Sequence, residues 1–257
     1  MNIKIMAAAL AVTLGAVSTQ ALAITIVAPT IQSNVVVFDG SPKAGGTIQT
    51  GLGTGTNGSD VWGSTLSFGD FNVTAGSTAN KNLAGNGFNT GQVTMSSSMG
   101  VYQDLSPGNG GLGAFTTGGS GDTDNLDPNL NNFRQDEVLF FNFDSDVILD
   151  TVWFNGNHSE LTYTEAGRND TMFNIFASTN GVNYTSMIGG QKVPTSRDFL
   201  DVNLSQSFQF FAVAASGWGS APGGYVEAIG YTAVAEPGTL ALFGLGLIGL
   251  ATVRRRA

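Results

Sequence analysis

Short apolar segments separated by turn-forming residues characterise the chain between residues 137 and 232. Residues 138–143 are almost continuously apolar, which is typical of a strand buried on both faces. Residues 199–204 instead alternate apolar and polar positions, as a strand with one solvated face does. No segment of the body has helical apolar spacing over three turns. The pattern therefore predicts strands at 138–143, 147–154, 171–178, 184–188, 199–204, 208–215 and 225–232.

Turn-forming residues separate several of these segments. Asp144-Ser145-Asp146 predicts a turn between the first two strands. Asn180-Gly181 is typical of the tight turn of a β-hairpin. Both turns favour antiparallel pairing of the strands that they connect.

Gly, Ser, Thr and Asn dominate the chain from residue 24 to about residue 132, with short apolar segments between them. Glycine at this density cannot hold a helix, so residues 50–59 and 108–121 are predicted to be loops. The apolar segments predict further strands at 35–38, 61–68, 71–74 and 92–95.

Strands at this spacing predict an all-β fold, an antiparallel β-sandwich of jelly-roll type. The body at residues 24–234 is long enough for one large sandwich core, and two smaller domains divided near Asn132 are the alternative. Residues 173–184 resemble a hairpin of galactose-binding-like domains, because a strand ending in Ser precedes an Asn-Gly turn and an aromatic residue. The resemblance covers roughly 147–232 and implies a fold rather than a ligand.

The charge distribution excludes one class of function. The body between residues 24 and 235 has six basic and eighteen acidic residues, a net charge near −12. Nucleic-acid binding needs a basic surface that displaces counterions from phosphates, so a nucleic-acid partner is excluded. Only 11% of the chain is charged, so uncharged polar groups must cover much of its surface.

The N-terminal residues 1–23 have the three parts of a secretory signal peptide. Lys4 supplies the positive start, residues 5–17 are apolar, and Ala21-Leu22-Ala23 fits the small-x-small pattern that signal peptidase cuts. We expect an N-terminal signal helix that is removed on export, so that the mature chain begins at Ile24.

The other end has a short apolar segment followed by arginines. Residues 239–253 carry no charge and would cover roughly 22 Å as a helix, less than the roughly 30 Å hydrocarbon core of a bilayer. Arg254, Arg255 and Arg256 follow and are expected to stay cytoplasmic. The pattern predicts a C-terminal transmembrane helix that anchors the chain transiently in the inner membrane.

Residues 235–257 as a whole resemble the PEP-CTERM sorting signal of Gram-negative bacteria. The sorting motif is Ala235, Glu236, Pro237 and Gly238, and a glycine-interrupted apolar run and the arginine cluster follow it. The family usually has Pro where this chain has Ala235. The resemblance implies cleavage near the motif by a membrane protease-transpeptidase, the exosortase, and release to the cell surface or an exopolysaccharide matrix. An unprocessed stop-transfer anchor is the alternative.

Few residues could carry catalysis. The chain has no Cys and one His, His158, which excludes thiolate nucleophiles, disulfides and multi-His metal centres. It has no Gly-x-Ser-x-Gly nucleophile elbow. Paired carboxylates could hydrolyse a polysaccharide, but the spacing of the acidic residues selects no pair. The sequence therefore predicts no catalytic residue and no cofactor, with calcium as the alternative.

The calcium possibility rests on an acidic loop. Asp122, Asp124 and Asp127 lie close together in the chain, and carboxylate oxygens in a flexible loop are ligands that calcium accepts. A solvated turn without metal is the alternative.

A second candidate site is aromatic. Trp153, Trp218 and Tyr225 lie near the ends of predicted strands, where exposed rings could stack on the apolar faces of sugars. A half-buried rim of the core is the alternative for these side chains.

These patterns predict an exported, non-enzymatic protein of the cell surface or extracellular matrix. Its expected partners are signal peptidase, an exosortase-type sorting protease, the inner membrane during transit, and exopolysaccharide. A secreted carbohydrate- or calcium-binding module is the alternative, and a polysaccharide hydrolase is a further one.

Overall fold

The computed structural model describes residues 33–57, 60–78, 93–108, 110–116, 125–127, 136–156, 171–191, 193, 198–217 and 223–234. These residues form fifteen β-strands and contain no helix, so this part of the chain is all-β. The strands are β1 (Ser33–Val37), β2 (Thr47–Ile48), β3 (Gly55–Asn57), β4 (Asp60–Gly63), β5 (Thr65–Phe68), β6 (Phe71–Thr78), β7 (Val93–Met95), β8 (Met99–Asp104), β9 (Gly111–Thr116), β10 (Glu137–Gly156), β11 (Thr171–Ser178), β12 (Thr185–Gln191), β13 (Phe199–Asp201), β14 (Phe208–Gly217) and β15 (Gly224–Ala233).

All fifteen strands belong to one hydrogen-bonded sheet, in which the pairings are antiparallel except for that of β1 with β2. The main path runs β12-β11-β14-β10-β15-β9-β8-β4-β3. β6 joins this path at β10 and brings β5 and β7 with it, and β1 joins at β15. The first described strand therefore lies beside the last, with Ser33 opposite Thr232.

β10 is the longest strand and connects the two halves of the sheet. Its residues 137–143 pair with β6 on one edge and with β14 on the other. Its residues 147–156 pair with β15, and 151–153 also pair with β13. The register with β14 shifts between Asn142 and Val147, where the strand exchanges one set of partners for the other. Such exchanges allow a sheet to fold over itself and close a core.

The inward-facing side chains of the two halves form one large apolar core. Phe38 lies 5.1 Å from Phe68 and 6.2 Å from Phe71 between ring centroids, and Phe143 lies 4.9 Å from Tyr231. The rings come from strands far apart in the chain, so a single cluster holds them together. β6 also contacts β8 and β9, which lie elsewhere on the sheet path. The sheet thus packs against itself as a β-sandwich.

The first half of β10 is buried on both faces, as its continuous apolar sequence predicts. Leu139 and Phe141 belong to the main core, whereas Val138 and Phe140 belong to a second cluster on the opposite face. Tyr184 covers this second cluster, with its ring centroid 5.3 Å from that of Phe140. Its hydroxyl finds no hydrogen-bond partner among the described residues, and burial raises the pKa of Tyr184 to about 12.

Two β-bulges interrupt the ladder between β10 and β15. Relative to its partner, β10 has one extra residue, Asp150, and β15 has one extra residue, Glu227. The core positions of β15 consequently step from Val226 to Ile229, three residues apart instead of two. A bulge redirects the side chain of its extra residue, and in both strands that side chain is a carboxylic acid.

The predicted turn at residues 144–146 is wrong, because these residues continue β10. Asp144 and Asp146 are exposed, and their backbones are hydrogen-bonded: Asp144 N donates to Asp70 O at 2.9 Å, and Asp146 O accepts from Val234 N at 3.2 Å. An exposed stretch of strand and a turn both place short polar side chains in water, so their compositions are alike.

The predicted loops at 50–59 and 108–121 are also wrong in part, since β3 lies in the first and β9 in the second. β2 and β8 lie outside the predicted strands as well. In β3 and β8, glycine is favoured where an aromatic ring occupies the space that a side chain would need. A Cβ on Gly55 would lie 2.2 Å from the Trp62 ring, and a Cβ on Gly100 would lie 2.5 Å from the Phe115 ring.

No helix able to cross a bilayer is found among the described residues. The predicted signal helix within 1–23 and the predicted transmembrane helix within 239–253 lie outside those residues. The division of the chain into 1–23, 24–234 and 235–257 stays a prediction.

Gln103 joins β8 to the chain on both sides of β2. Its Oε1 accepts from Gly51 N at 2.8 Å, and its Nε2 donates to Phe38 O at 2.9 Å and to Gln49 O at 2.8 Å. The side chain is fully buried. Buried polar groups without partners are costly, so these three bonds fix the end of β1 in place.

Replacing Gln103 with Met should lower the free energy of unfolding by about 3 kcal/mol, because three backbone groups lose their partner while the side-chain volume is kept. Gln209→Met is the matched control, since the half-buried Gln209 makes a single hydrogen bond to the described residues, to Phe143 O, and we expect a loss of about 1 kcal/mol there. Urea unfolding of both variants measures the difference. Equal losses would show that Gln103 has no special structural role.

Candidate functional site

Four ionisable side chains from distant parts of the chain meet beside the β1–β15 pairing. Asp39 and Lys43 follow β1, Asp198 precedes β13, and Glu227 is the bulge residue of β15. Backbone hydrogen bonds bring them together: Phe38 N donates to Glu227 O at 2.8 Å, and Phe154 N donates to Asp198 O at 2.8 Å.

Lys43 stands between two of the carboxyl groups. Its Nζ lies 2.5 Å from Asp198 Oδ2 and 2.9 Å from Glu227 Oε1. The side chain of Glu227 is fully buried, while 25% of the Lys43 side chain and 39% of the Asp198 side chain are exposed. Although Lys43 is within ion-pair distance, neither carboxyl oxygen of Glu227 has a hydrogen bond of good geometry among the described residues.

The protonation of the cluster follows from this burial. Burial raises the pKa of Glu227 to about 8, against the lowering effect of Lys43, and the charge of Asp39 raises it further. Burial alone would lower the pKa of Lys43, but the two carboxyl groups beside it outweigh that effect and the pKa of Lys43 is raised. Lys43 is therefore an ammonium at neutral pH, and Glu227 is largely a neutral acid.

Asp39 is also buried, and backbone groups satisfy both of its oxygens. Oδ1 accepts from Ser41 N at 2.9 Å, and Oδ2 accepts from Gly108 N at 3.0 Å. Glycoside hydrolysis needs two carboxyl groups that face the substrate. Asp39 and Glu227 are both closed to solvent, so this pair does not support the hydrolase alternative.

The described residues contain no group of three or more His, Asp or Glu side chains placed to hold a metal ion. Of the predicted calcium ligands, Asp127 is described, whereas Asp122 and Asp124 lie outside the described residues. Asp127 N donates to Glu137 Oε2 at 2.9 Å, and Asp127 O accepts from Glu137 N at 3.1 Å. These bonds hold Asp127 against β10, and calcium binding stays a prediction.

The predicted aromatic residues are placed as follows. Trp153 is 9% exposed and its ring packs on Phe199 with centroids 5.8 Å apart, and Tyr225 is fully buried. Trp218 lies outside the described residues. The structure thus does not place Trp153 and Tyr225 on an open surface, and their contact with a ligand stays a prediction.

A different aromatic surface lies on the outer face of β4 and β8. Trp62 and Tyr102 are register partners, and their partly exposed rings are stacked with centroids 6.4 Å apart and planes inclined by 10°. Tyr102 Oη donates to Asp60 Oδ2 at 2.7 Å. Their chain neighbours Val61 and Val101 point into the core, which fixes the two rings on the outward face.

Glycines make this aromatic surface flat. Gly55 of β3 pairs with Trp62, and Gly113 of β9 pairs with Tyr102. The two rings are therefore flanked on both neighbouring strands by residues without a side chain. We call Asp60, Trp62 and Tyr102 the aromatic face. Sequence reasoning missed it because Trp62 lies inside one long predicted strand and Tyr102 in no predicted strand.

Sequence reasoning also missed the charged cluster. Lys43 and Asp198 are 155 residues apart, and the pairings of β1 with β15, of β15 with β10 and of β10 with β13 bring them together. The sequence does contain one local indication of the cluster. Glu227 is an acidic residue within an otherwise apolar segment, and the spacing of the apolar core positions changes from two residues to three at this point. The sorting motif at Ala235–Gly238 and the arginines at 254–256 lie outside the described residues.

The raised pKa of Glu227 makes stability depend on pH. The folded state holds a proton on Glu227 that the unfolded state has released, so stability falls as pH rises from about 5 to about 8, by on the order of 1.4 kcal/mol per pH unit at most. In the Glu227→Gln variant this part of the slope should vanish. Urea unfolding across that range tests it, and parallel profiles for the two proteins would contradict the assignment.

Comparison with known proteins gives a match to a sequence-family motif and likenesses to solved structures. No curated protein sequence matches the chain. The structure of the CBM32-1 and CBM32-2 domains from Clostridium perfringens ZmpB is similar over 66% of this chain and 37% of that chain, with 13% sequence identity and a TM-score of 0.31. The matched part is thus little more than a third of that chain. At the C-terminal end, residues 233–256 match the PEP-CTERM protein-sorting motif.

Proposed function

We propose that the chain is an exported, non-enzymatic protein that an exosortase-type protease sorts to the cell surface or extracellular matrix. The observation that carries the proposal is the PEP-CTERM match at residues 233–256. The arginines at 254–256 and the apolar run before them fit a short-lived anchor in the inner membrane, with the body on the outer side. In finer detail, we propose a jelly-roll body between a cleaved signal helix and this transmembrane helix.

The end of the sheet is compatible with cleavage at the motif. β15 ends at Ala233, and Val234 N donates to Asp146 O at 3.2 Å, so the hydrogen-bonded body extends to residue 234. Glu236, Pro237 and Gly238 follow. A cut among these residues would remove the tail without removing any described strand.

The mature protein should span about residues 24–236. Neutral residues in place of Arg254, Arg255 and Arg256 should reduce retention and processing, because the helix loses its cytoplasmic stop. Neutralising Arg168 in the body is the control and should change neither. Mass spectrometry of the surface fraction identifies the C-terminus. Mature protein that still carries Arg256 would show that no cut occurs. If the proposal is correct, full-length precursor should accumulate in the inner membrane of cells that lack the sorting protease.

A saccharide-binding role is a second candidate, and the aromatic face supports it. Two nearly parallel, partly exposed rings on adjacent strands offer an apolar platform on which the face of a pyranose can pack, and Asp60 supplies acceptor oxygens at its edge. Aromatic side chains combine a large apolar area with little conformational freedom, which favours binding of such ligands. An exopolysaccharide is the ligand class that fits both this surface and the proposed location.

Trp62→Ala should weaken binding to a bacterial exopolysaccharide by about tenfold or more, on the order of 1.4 kcal/mol, because half of the platform is lost. Trp218→Ala is the informative control, because Trp218 belongs to the aromatic set that the sequence favours. Affinity electrophoresis of the full chain compares the two. Loss of binding in Trp218→Ala alone would move the site away from the aromatic face, and equal binding in all three proteins would reject both sites.

A further inference from the structure

The contact between Lys43 and Asp198 is unusually close. Charge-assisted N–H···O bonds usually measure about 2.7–2.9 Å between heavy atoms, whereas Lys43 Nζ lies 2.5 Å from Asp198 Oδ2. Beside this contact stands a fully buried carboxyl group, Glu227, whose two oxygens have no hydrogen bond of good geometry among the described residues. The cluster thus brings together an amine, a carboxyl group and a buried acid.

We propose that Lys43 and Asp198 join through an intramolecular isopeptide bond, and that Glu227 relays the proton that the reaction moves. The bond is an amide between Lys43 Nζ and the side-chain carbonyl carbon of Asp198. It would link the chain after β1 to the chain before β13, two segments that are 155 residues apart.

The reaction balances without any other reagent. A proton passes from the Lys43 ammonium to the Asp198 carboxylate, which gives a neutral amine and a neutral carboxylic acid. The amine nitrogen attacks the carboxyl carbon and forms the C–N bond. Glu227 accepts the proton that the nitrogen loses and donates its own proton to the departing hydroxyl, which leaves as water. The products are one amide and one water molecule, and Glu227 regains its starting state.

The backbone holds the three groups in place for this reaction. Lys43 O accepts from Gly46 N at 2.5 Å, in a turn directly before β2. The backbones of Asp198 and Glu227 are hydrogen-bonded to Phe154 and Phe38. Reacting groups held at about 3–3.5 Å can behave as if present at an effective concentration of about 10⁵ M or more. An amide that is unfavourable between free partners in water can therefore form inside the fold.

Glu227 is suited to the proton transfer for two reasons. Its oxygens have no hydrogen bond of good geometry within the described part of the chain, and Oε1 is 2.9 Å from the attacking nitrogen. Burial also keeps a proton on it near neutral pH, since the pKa of Glu227 is raised to about 8, and an acid with a pKa close to the working pH is the most efficient relay. As a simple ion-pair partner, the same buried group would mainly cost stability.

Peptide mapping of the denatured full chain tests the proposal. Trypsin does not cut after an acylated lysine, so the wild-type digest should contain a branched peptide. In it, the chain that runs through Lys43 to Lys81 is joined to the chain that begins at Asp198, with a mass lower by one water than the sum of the two. Fragmentation should place the link at Lys43 and Asp198.

Two variants identify the roles of the groups. Lys43→Arg keeps the positive charge but has no nucleophilic amine, so the branched peptide should be absent. Glu227→Gln keeps the shape of the relay without its acid–base function, so linkage after refolding should slow by about 100-fold or more. Proteolysis resistance of each variant checks that it is folded.

Two linear peptides in the wild-type digest, with cleavage after Lys43, would overturn the proposal and leave an ion pair only. A branched peptide that persists in Lys43→Arg would place the link elsewhere and overturn it equally. Unchanged linkage kinetics in Glu227→Gln would remove the relay. None of these outcomes depends on cleavage of the C-terminal tail.

Discussion

The need to pair every backbone group along one long strand governs this structure. β10 runs for 20 residues, and each half of it requires partners on its edges because buried N–H and C=O groups without hydrogen bonds are costly. β6 and β14 meet this need in the first half, and β15 with β13 in the second. The aromatic core, the closure of the sheet and the position of the charged cluster all follow from these pairings.

The two bulges of the β10–β15 ladder show how one backbone device can have different chemical results. Asp150 directs its carboxylate to Thr232 Oγ1, which donates at 2.8 Å, and its carbonyl accepts from Val202 N and Asn203 N. The carboxylate and the carbonyl of Asp150 thus have hydrogen-bond partners, and the side chain is partly exposed to water. Glu227 emerges on the buried side beside Lys43, and its carboxyl group has no such bonds from the residues that the structure describes. The bulge positions both acids, but only the surroundings decide which of them is reactive.

Sequence patterns predicted the part of the fold where apolar residues alternate or run continuously. The strands β11, β14 and β15 lie within a residue or two of their predicted bounds because the core face of each is unambiguous. The patterns failed where strands and loops have similar compositions, as at Asp144–Asp146 and in the glycine-rich β3 and β9. Gly55 of β3 lies against the Trp62 ring, and Gly111 of β9 lies against the backbone of Val226. The aromatic face and the charged cluster depend on pairing register between distant strands, which single-sequence patterns do not encode.

The pairing of the first described strand with the last has a consequence for the order of events during export. Ser33 pairs with Thr232, so the sheet cannot close until almost the whole body has crossed the membrane, and the PEP-CTERM match begins one residue later, at 233. Fully extended, residues 235 and 236 reach only about 7 Å beyond Val234. A cut after residue 236, as proposed, therefore requires the sorting enzyme to work within about 7 Å of the last hydrogen-bonded residue of the body.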